Sequence, residues 1–358
     1  MQTRFILIGY GWRADFFYRI SRMLPDRFRI AAWVLRTEER AAQVQEETGI
    51  YATADLEKAL GKEHDFVVLC IPRDGVKSYL TELMEKKEYI LCETPPGKDT
   101  EELNELWEAK LRQDGRVQIV EQYPLQPYYA AVEDITDSGV IGDVTQVMLS
   151  ALHGYHAVSI FRRFLKTGFE NCVIRGSVFP YDIVYTNGRE GFDYSGKLIR
   201  SEREWASFCF DSGKAAFMDF SGEQYFSQIR ARRWNIQGTR GEIDDMTVRF
   251  LAEGNLPVIQ EIQRFDAGIN NNSEWSHRRM TFLDRAVYKN PFYPARMNDD
   301  EIAVASCLQR MKEYRETGKD FYPLREALQD TYLSFLLEEA EKSGRDIQSE
   351  SQLWADER

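Results

Sequence analysis

The chain has 358 residues, 43% of them hydrophobic and 29% charged, which is enough for about two domains with full cores. Its 58 acidic against 46 basic residues give a formal charge of -12. This balance argues against nucleic acid or anionic membrane as a partner and for a small molecule.

The five cysteines, Cys70, Cys92, Cys172, Cys209 and Cys307, form no C-x-x-C pair and mostly fall in apolar runs. Free buried thiols in a reducing compartment are expected, with no disulfide framework and no zinc or other metal site. The short apolar run at the start meets Gly9, Arg13 and Asp15, unlike a signal peptide. No apolar stretch approaches the roughly 20 residues of a membrane span, so a cytoplasmic protein is expected.

Phe5 to Ile8 read as a strand buried on both faces of a parallel sheet. The strand collapses into Gly9-Tyr10-Gly11-Trp12-Arg13-Ala14, and the spacing predicts a helix over Asp15–Leu24. Alone, the turn fits an ordinary strand and loop equally well. In a dinucleotide fold, Gly9 allows the tight turn, Gly11 lets the backbone approach a pyrophosphate, and Ala14 permits close helix–strand packing. Gly9 to Arg13 would then cradle the phosphates at the helix N-terminus.

A second buried strand, Phe28–Leu35, ends in Arg36 and Thr37, where an acid would bind the ribose of NAD. Arginine and a hydroxyl suit a 2′-phosphate, which favours NADP and leaves NAD as the alternative. The competing reading is a solvated helix cap, with Thr37 opening the helix that runs to Glu47. A helix over Asp55–Leu60, a strand Asp65–Ile71 closed by Pro72, a helix Gly75–Lys86 and a strand Tyr89–Cys92 follow. Then come Glu93-Thr94-Pro95-Pro96, a helix Thr100–Gln113 and a strand Val117–Glu121 before Gln122. Alternation of this kind predicts an α/β fold with a doubly wound parallel sheet over residues 1–122. Ligands bind outside the strand ends, which are Gly9, Leu35 to Thr37, Ile71 to Arg73, Glu93 to Pro95, and Gln122.

Residues 123–358 form a second region. Thr145–Leu152 reads as a strand, Glu204–Phe210 and Lys214–Phe220 as a hairpin around Asp211-Ser212-Gly213, and Arg230–Ile236 and Glu242–Leu251 flank a second turn. Asn270–Asn272 and Asn290–Pro294 read as loops. Asp299–Glu316 and Leu324–Lys342 read as helices, the last stopped by Ser343-Gly344, and the tail after Ile347 as polar and frayed.

In this order GYGWRA, the Arg36–Arg40 run R-x-x-E-R, Ile71-Pro72, CETPP, DSGVIGDV, Gly154-Tyr155-His156, WASFCFDSGKAAFMDF, IQGTRGEID and the closing SGRDI resemble the glucose–fructose oxidoreductase, inositol dehydrogenase and rhizopine-catabolism (Gfo/Idh/MocA) oxidoreductases. The resemblance implies a Rossmann domain followed by an α+β domain. The second domain would carry a large, open, mostly antiparallel sheet, one face over the nucleotide and the other commonly used for dimerisation. It also implies hydride exchange with a dinucleotide.

The family's Glu-Lys-Pro lands on Glu93-Thr94-Pro95, so its lysine is Thr94 here. Its catalytic histidine lands on His156, its aspartate on Leu152 and a second acid on Ser159. The usual loop before the histidine helix is shortened, leaving Asn270–Ser276 and Asn290–Pro294 as candidates for the missing substrate wall.

The expected catalytic residues are therefore His156, an imidazole that titrates near neutral pH, with Tyr155 or Tyr123 as substitute hydrogen-bond donors and Thr94 at the lysine position. Expected dinucleotide contacts are Gly9, Tyr10, Gly11, Trp12, Arg13, Arg36, Thr37, Ile71, Pro72, Glu93, Thr94 and Gln122. His153 and His156 have an alternative reading, as imidazoles that merely satisfy backbone carbonyls at a helix start.

Two functions compete. One is an NADP-preferring oxidoreductase acting on a hydroxyl or carbonyl of a small, sugar-like metabolite. The other is a dinucleotide-binding regulator or scaffold without turnover, as in some fungal regulators of this architecture. Aromatics on alternating positions of the second sheet suggest a sheet-to-sheet homodimer through Phe208, Phe217 or Trp234, unless they face the subunit's own helices.

Overall fold

A computed structural model describes residues 2–188, 190–266 and 276–356. It divides into two compact units, Met1–Tyr129 with Phe265–Arg279 and Lys289–Leu328, and Ala130–Arg264 with Met280–Tyr288 and Gln329–Arg358. The division is thus not one cut after residue 122. The first unit also takes in the helix Asp299–Thr317, which starts at an Asn298/Glu301 capping box and ends at left-handed Gly318. Gln126 donates to Asp300 at 2.6 Å and Arg19 to Glu301 at 3.1 Å, so that helix is tied to the N-terminal part of its own unit.

In the first unit β1 (Thr3–Ile8), β2 (Phe28–Val34), β3 (Ala52–Thr53), β4 (Phe66–Leu69), β5 (Tyr89–Cys92) and β6 (Arg116–Ile119) form one parallel sheet in the order β3-β2-β1-β4-β5-β6. Phe5 to Ile8 are buried at 1% exposure or less, as a central strand covered on both faces must be. The helices between strands are α1 (Trp12–Met23), α2 (Glu38–Thr48), α3 (Leu56–Leu60), α4 (Arg73–Glu85) and α5 (Thr100–Gln113). Helix α1 starts three residues earlier than the apolar spacing suggests, because Gly11 itself serves as its N-cap.

The Asn290–Pro294 segment does not offer an open wall. The Asn290 amide donates to His277 O at 2.7 Å, and Phe292 is 2% exposed against Phe28. Most of Asn270–Ser276 lies outside the described residues.

The second unit begins within the helix α6 (Pro127–Asp137) and holds β7 (Val144–Ser150), α7 (Gly154–Leu165), β8 (Cys172–Val184), β9 (Leu198–Phe210), β10 (Ala215–Ser221), β11 (Arg233–Gly238), β12 (Gly241–Asp244), β13 (Thr247–Leu251), β14 (Pro257–Glu261) and β15 (Ile347–Gln348). These ten elements after α6 include nine strands ordered β14-β13-β12-β11-β7-β10-β9-β8-β15, antiparallel except for the β7–β10 pair. The stretch read as one strand over Glu242–Leu251 is a hairpin, turned at Asp245 with φ 49°. Strand β8 escaped the sequence reading because Gly176 and Pro180 interrupt its apolar alternation.

Two expectations for this unit are overturned. Phe208 is fully buried with its ring 5.6 Å from Phe161 of α7, and Trp234 is 3% exposed and 5.2 Å from Phe164 of the same helix. Both face the subunit's own helix, so neither is available to a partner. Phe217 pairs instead with Ser207 and Met148 on the opposite face. Nor is the tail frayed: Ile347–Gln348 pairs with β8, and Trp354 is fully buried, donating to Gln329 at 2.8 Å. One buried indole anchors a tail whose composition is otherwise polar. Of the cysteines, Cys209 is exposed and the other four are buried, all as free thiols.

Candidate active site

The glycine turn is fixed from behind. Gly9 N donates to Val34 O at 3.0 Å, and the Trp33 indole donates to Gly9 O at 2.6 Å. Gly9 has φ 114°, and a Cβ there would overlap the carbonyl oxygen of Cys70, so only glycine fits. In front, the turn is open. Gly11 has φ 147°, a Cβ on it would meet nothing within 4 Å, and no side chain caps α1. A 12-residue helix that starts without a side-chain cap among the described residues, beside the open space at Gly11, suits a pyrophosphate.

Around this turn the expected contacts fall into two groups. Towards the end of β5, Arg13 Nε lies 2.9 Å from Glu93 Oε1, and Thr94 N donates to Glu93 Oε2 at 3.3 Å. Burial pushes the Glu93 carboxyl up, with Arg13 working against that shift. Burial is the largest single influence on Arg13 and opposes its charge, but Glu93 together with Asp300, Tyr123 and Cys70 outweighs it and holds the guanidinium protonated. Thr94 and Ile71 are half-buried, and Pro72 is the exposed N-cap of α4. Gln122 is 2% exposed, yet its Oε1 has no hydrogen-bond partner among the described residues. An orphaned buried amide oxygen at a strand end fits a ligand that donates to it.

At the end of β2, Arg36 and Thr37 are exposed, and Thr37 Oγ1 accepts from Arg40 N at 3.2 Å as the cap of α2. Its hydroxyl proton remains available to an anion. The Arg40 guanidinium lies 4.1 Å from the centroid of Tyr10, a half-exposed ring that in turn sits 6.1 Å from Trp33. Arg40 was visible in the R-x-x-E-R run, but nothing in its spacing assigned it a role.

In the second unit, His156 sits in the first turn of α7 at 6% exposure, with the Tyr155 ring 4.4 Å away. Leu152 and Ser159, which stand where the resemblance places acids, are buried, and Ser159 Oγ donates to His156 O at 2.9 Å. His153 is the N-cap residue of α7 and its Nδ1 lies 2.6 Å from the hydroxyl of Tyr225. Sequence reasoning missed Tyr225 because it follows β10 across a three-dimensional pairing that no local pattern encodes. Among the described residues no group of three His, Cys, Asp or Glu side chains is arranged to hold a metal. No described helix is long and apolar enough to cross a membrane.

Comparison with known proteins agrees with the first unit. Residues 3–121 match the Gfo/Idh/MocA model, described as oxidoreductase family, NAD-binding Rossmann fold. The Bacillus subtilis (strain 168) protein named "Putative oxidoreductase YteT" is 25% identical over 104 residues, a match spanning 24% of that protein's length and 29% of this chain. Among solved structures, a levoglucosan dehydrogenase in complex with NADH and levoglucosan is 13% identical with TM-score 0.70, covering 98% of this chain and 100% of that one. An Agrobacterium radiobacter oxidoreductase in complex with NAD+, L-tartaric acid and magnesium is 15% identical with TM-score 0.69, covering 97% and 98%. A myo-inositol dehydrogenase from Corynebacterium glutamicum ATCC 13032 is 14% identical with TM-score 0.65, covering 97% and 99%. At these identities the structures speak for the fold. The family match covers residues 3–121, so that stretch is the NAD-binding Rossmann fold described for the Gfo/Idh/MocA oxidoreductases, and the rest of the chain shares with the solved structures its fold.

Proposed function

We propose that the chain is an NADP-preferring oxidoreductase acting on a hydroxyl or carbonyl of a small, polar, sugar-like metabolite. The observation that carries this reading is the glycine turn, closed behind by Cys70 and open at Gly11, beside a helix start without a side-chain cap among the described residues. Gly9, Tyr10, Gly11, Trp12 and Arg13 hold the pyrophosphate side of the dinucleotide, while Ile71, Pro72, Glu93, Thr94 and Gln122 hold the nicotinamide side. The nicotinamide supplies the hydride chemistry. Arg36 and Thr37, with Arg40 a turn further on, favour the 2′-phosphate, because arginine and a hydroxyl stand at the end of β2 where an acid would bind the ribose of NAD.

On the substrate side, His156 takes or returns the hydroxyl proton, with Tyr155 as an orienting donor. Thr94, whose hydroxyl does not ionise usefully, contacts the cofactor. Tyr123 is a second candidate donor. The sugar-like class is supported by neighbours whose names include levoglucosan and myo-inositol dehydrogenases.

Loss of the lysine and aspartate favours a second reading, a dinucleotide-binding regulator that does not turn over. NADP-linked turnover in a polyol, sugar and imine screen, abolished by His156→Ala, is expected for the enzyme. Tight NADPH binding with no turnover on any of them would establish the regulator instead.

Free thiols and an acidic surface suit the cytoplasm. Assembly as a homodimer through the face of the second sheet opposite α7 completes the reading.

A further inference from the structure

We infer that Tyr225 fixes His153 as a neutral imidazole carrying its proton on Nε2, and that this N–H is a hydrogen-bond donor to a substrate oxygen. The role as donor rests on the oxidoreductase reading, whereas the tautomer does not.

Three observations carry the tautomer. Tyr225 Oη accepts a hydrogen bond from the His153 backbone N–H at 3.4 Å, so one lone pair of the phenol is engaged. The separation of 2.6 Å between Tyr225 Oη and His153 Nδ1 is short for an N–H donor and natural for an O–H donor. The Arg232 guanidinium lies 5.4 Å from the centroid of the Tyr225 ring, which favours electron withdrawal from the phenol and so proton donation by it. Tyr225 therefore gives its proton to Nδ1, and the ring proton of a neutral His153 must sit on Nε2.

The state of charge follows from the surroundings. Tyr155, His156, Phe220 and Tyr225 enclose the His153 ring at centroid distances of 5.5, 5.3, 6.0 and 5.8 Å. Of these only His156 and the two tyrosines titrate, and none is an anion that would hold an imidazolium. Burial first, and His156 second, bring His153 down to about 4. Two imidazoles this close divide the work: His153 stays neutral and donates, leaving His156 to exchange the proton.

The donor is also left unengaged within the chain. His153 is only partly buried, and its Nε2 makes no hydrogen bond within the chain among the described residues. A neutral imidazole donating through one nitrogen polarises a carbonyl or orients a hydroxyl without first being protonated.

The chain has four histidines, so a protein labelled with 15N-histidine resolves the question directly. Long-range 1H–15N correlation spectra near neutral pH should show His153 in the Nε2–H form, and Tyr225→Phe should shift it toward a mixture of tautomers. A cationic His153 at neutral pH, or the Nδ1–H form in the unsubstituted protein, overturns the inference without any variant. A second arm adds levoglucosan or myo-inositol to NADP-saturated protein. The His153 Nε2–H resonance should move with at least one of them while His64 and His277 stay in place. No shift with either overturns the substrate-facing role. Failure of the protein to bind NADP or NAD would overturn the oxidoreductase reading and leave the tautomer result standing.

Discussion

Arg13 and Glu93, eighty positions apart in the chain, form an ion pair of 2.9 Å with side chains only 19% and 10% exposed. It ties the glycine turn to the Glu93-Thr94-Pro95 turn. Removing one partner of such a pair leaves a charge without solvent or counterion, which typically costs 3–5 kcal/mol. Arg13→Met should therefore lose about 3 kcal/mol in urea unfolding at neutral pH. Because burial already pushes Glu93 up, the stranded carboxyl would take a proton on mild acidification, and the penalty should shrink as pH falls. Arg13→Met/Glu93→Gln should be more stable than Arg13→Met. Additive losses in the double variant would show the two side chains to be uncoupled.

The two glycines of the turn predict different failures. At Gly9 any side chain overlaps the Cys70 carbonyl, so Gly9→Ala should displace the β1–β4 register and lower stability and NADPH binding together. At Gly11 there is room, and only the backbone angle of 147° resists a side chain, a strain of about 1–3 kcal/mol. Gly11→Ala should remain folded by circular dichroism while its NADPH affinity, read by fluorescence titration, falls at least tenfold.

Those two glycines also explain what was legible in the sequence. A strand that must enter a turn beneath a neighbouring carbonyl leaves a local signature, so β1, the turn and the alternating elements to β6 follow from spacing. The second unit is less local. Strand β8 pairs with β9 over thirteen positions across an intervening loop, and the burial of Phe208 and Trp234 depends on which sheet face α7 covers. Alternation fixes that two faces exist but not which is inside. For the same reason His156 could be named from a motif, while Tyr225 and Arg40 became visible only through their contacts with His153 and Tyr10.

At the adenosine end, Arg36 and Arg40 should decide cofactor choice. A charge-assisted hydrogen bond to phosphate contributes about 1.5–3 kcal/mol, or roughly a tenfold change in affinity at the lower end. Arg36→Ala and Arg40→Ala should each weaken NADPH about tenfold and leave NADH nearly unchanged. The NADPH affinity of the unsubstituted protein should fall with added salt. Tighter binding of NADH than NADPH by the unsubstituted protein would reverse the assignment.

The depressed His153 gives a pH dependence of known sign. Its ordinary value is near 6.5, and in the folded chain it is lowered to about 4 by burial and then by His156. Between those values the unfolded chain binds a proton that the folded chain does not. The stability it contributes is complete above about 6.5 and is lost as pH falls toward 4. Glu341, raised to about 7 by burial and by Glu204 and Glu338, works in the opposite direction over an overlapping range. The difference between the unsubstituted protein and His153→Phe isolates the histidine. His153→Phe should lose about 2–3 kcal/mol less than its parent on going from pH 7.5 to pH 4.5. Equal losses would show that the imidazole titrates alike in both states.

The face of the second sheet turned away from α7 predicts the assembly. Phe217 lies between Ser207 on β9 and Met148 on β7, and Trp205 stands two positions before Ser207 on the same face. Met148 and Trp205 are each 45% exposed, and Phe179, opposite Arg203, is 55% exposed. Large apolar side chains grouped this way are uncommon on a solvated sheet. Arg203 and Arg233 both pair with Asp219 beside them, giving the patch a polar border of the sort that surrounds interface centres. A two-fold axis through this face would bury the same side chains on both copies, so one substitution acts twice. Light scattering should return about twice the 41.8 kDa chain mass. Trp205→Glu, which places like charges across the axis, should return the single-chain mass while NADPH still binds. A concentration-independent mass of one chain for the unsubstituted protein would show that this face is solvated and the homodimer wrong.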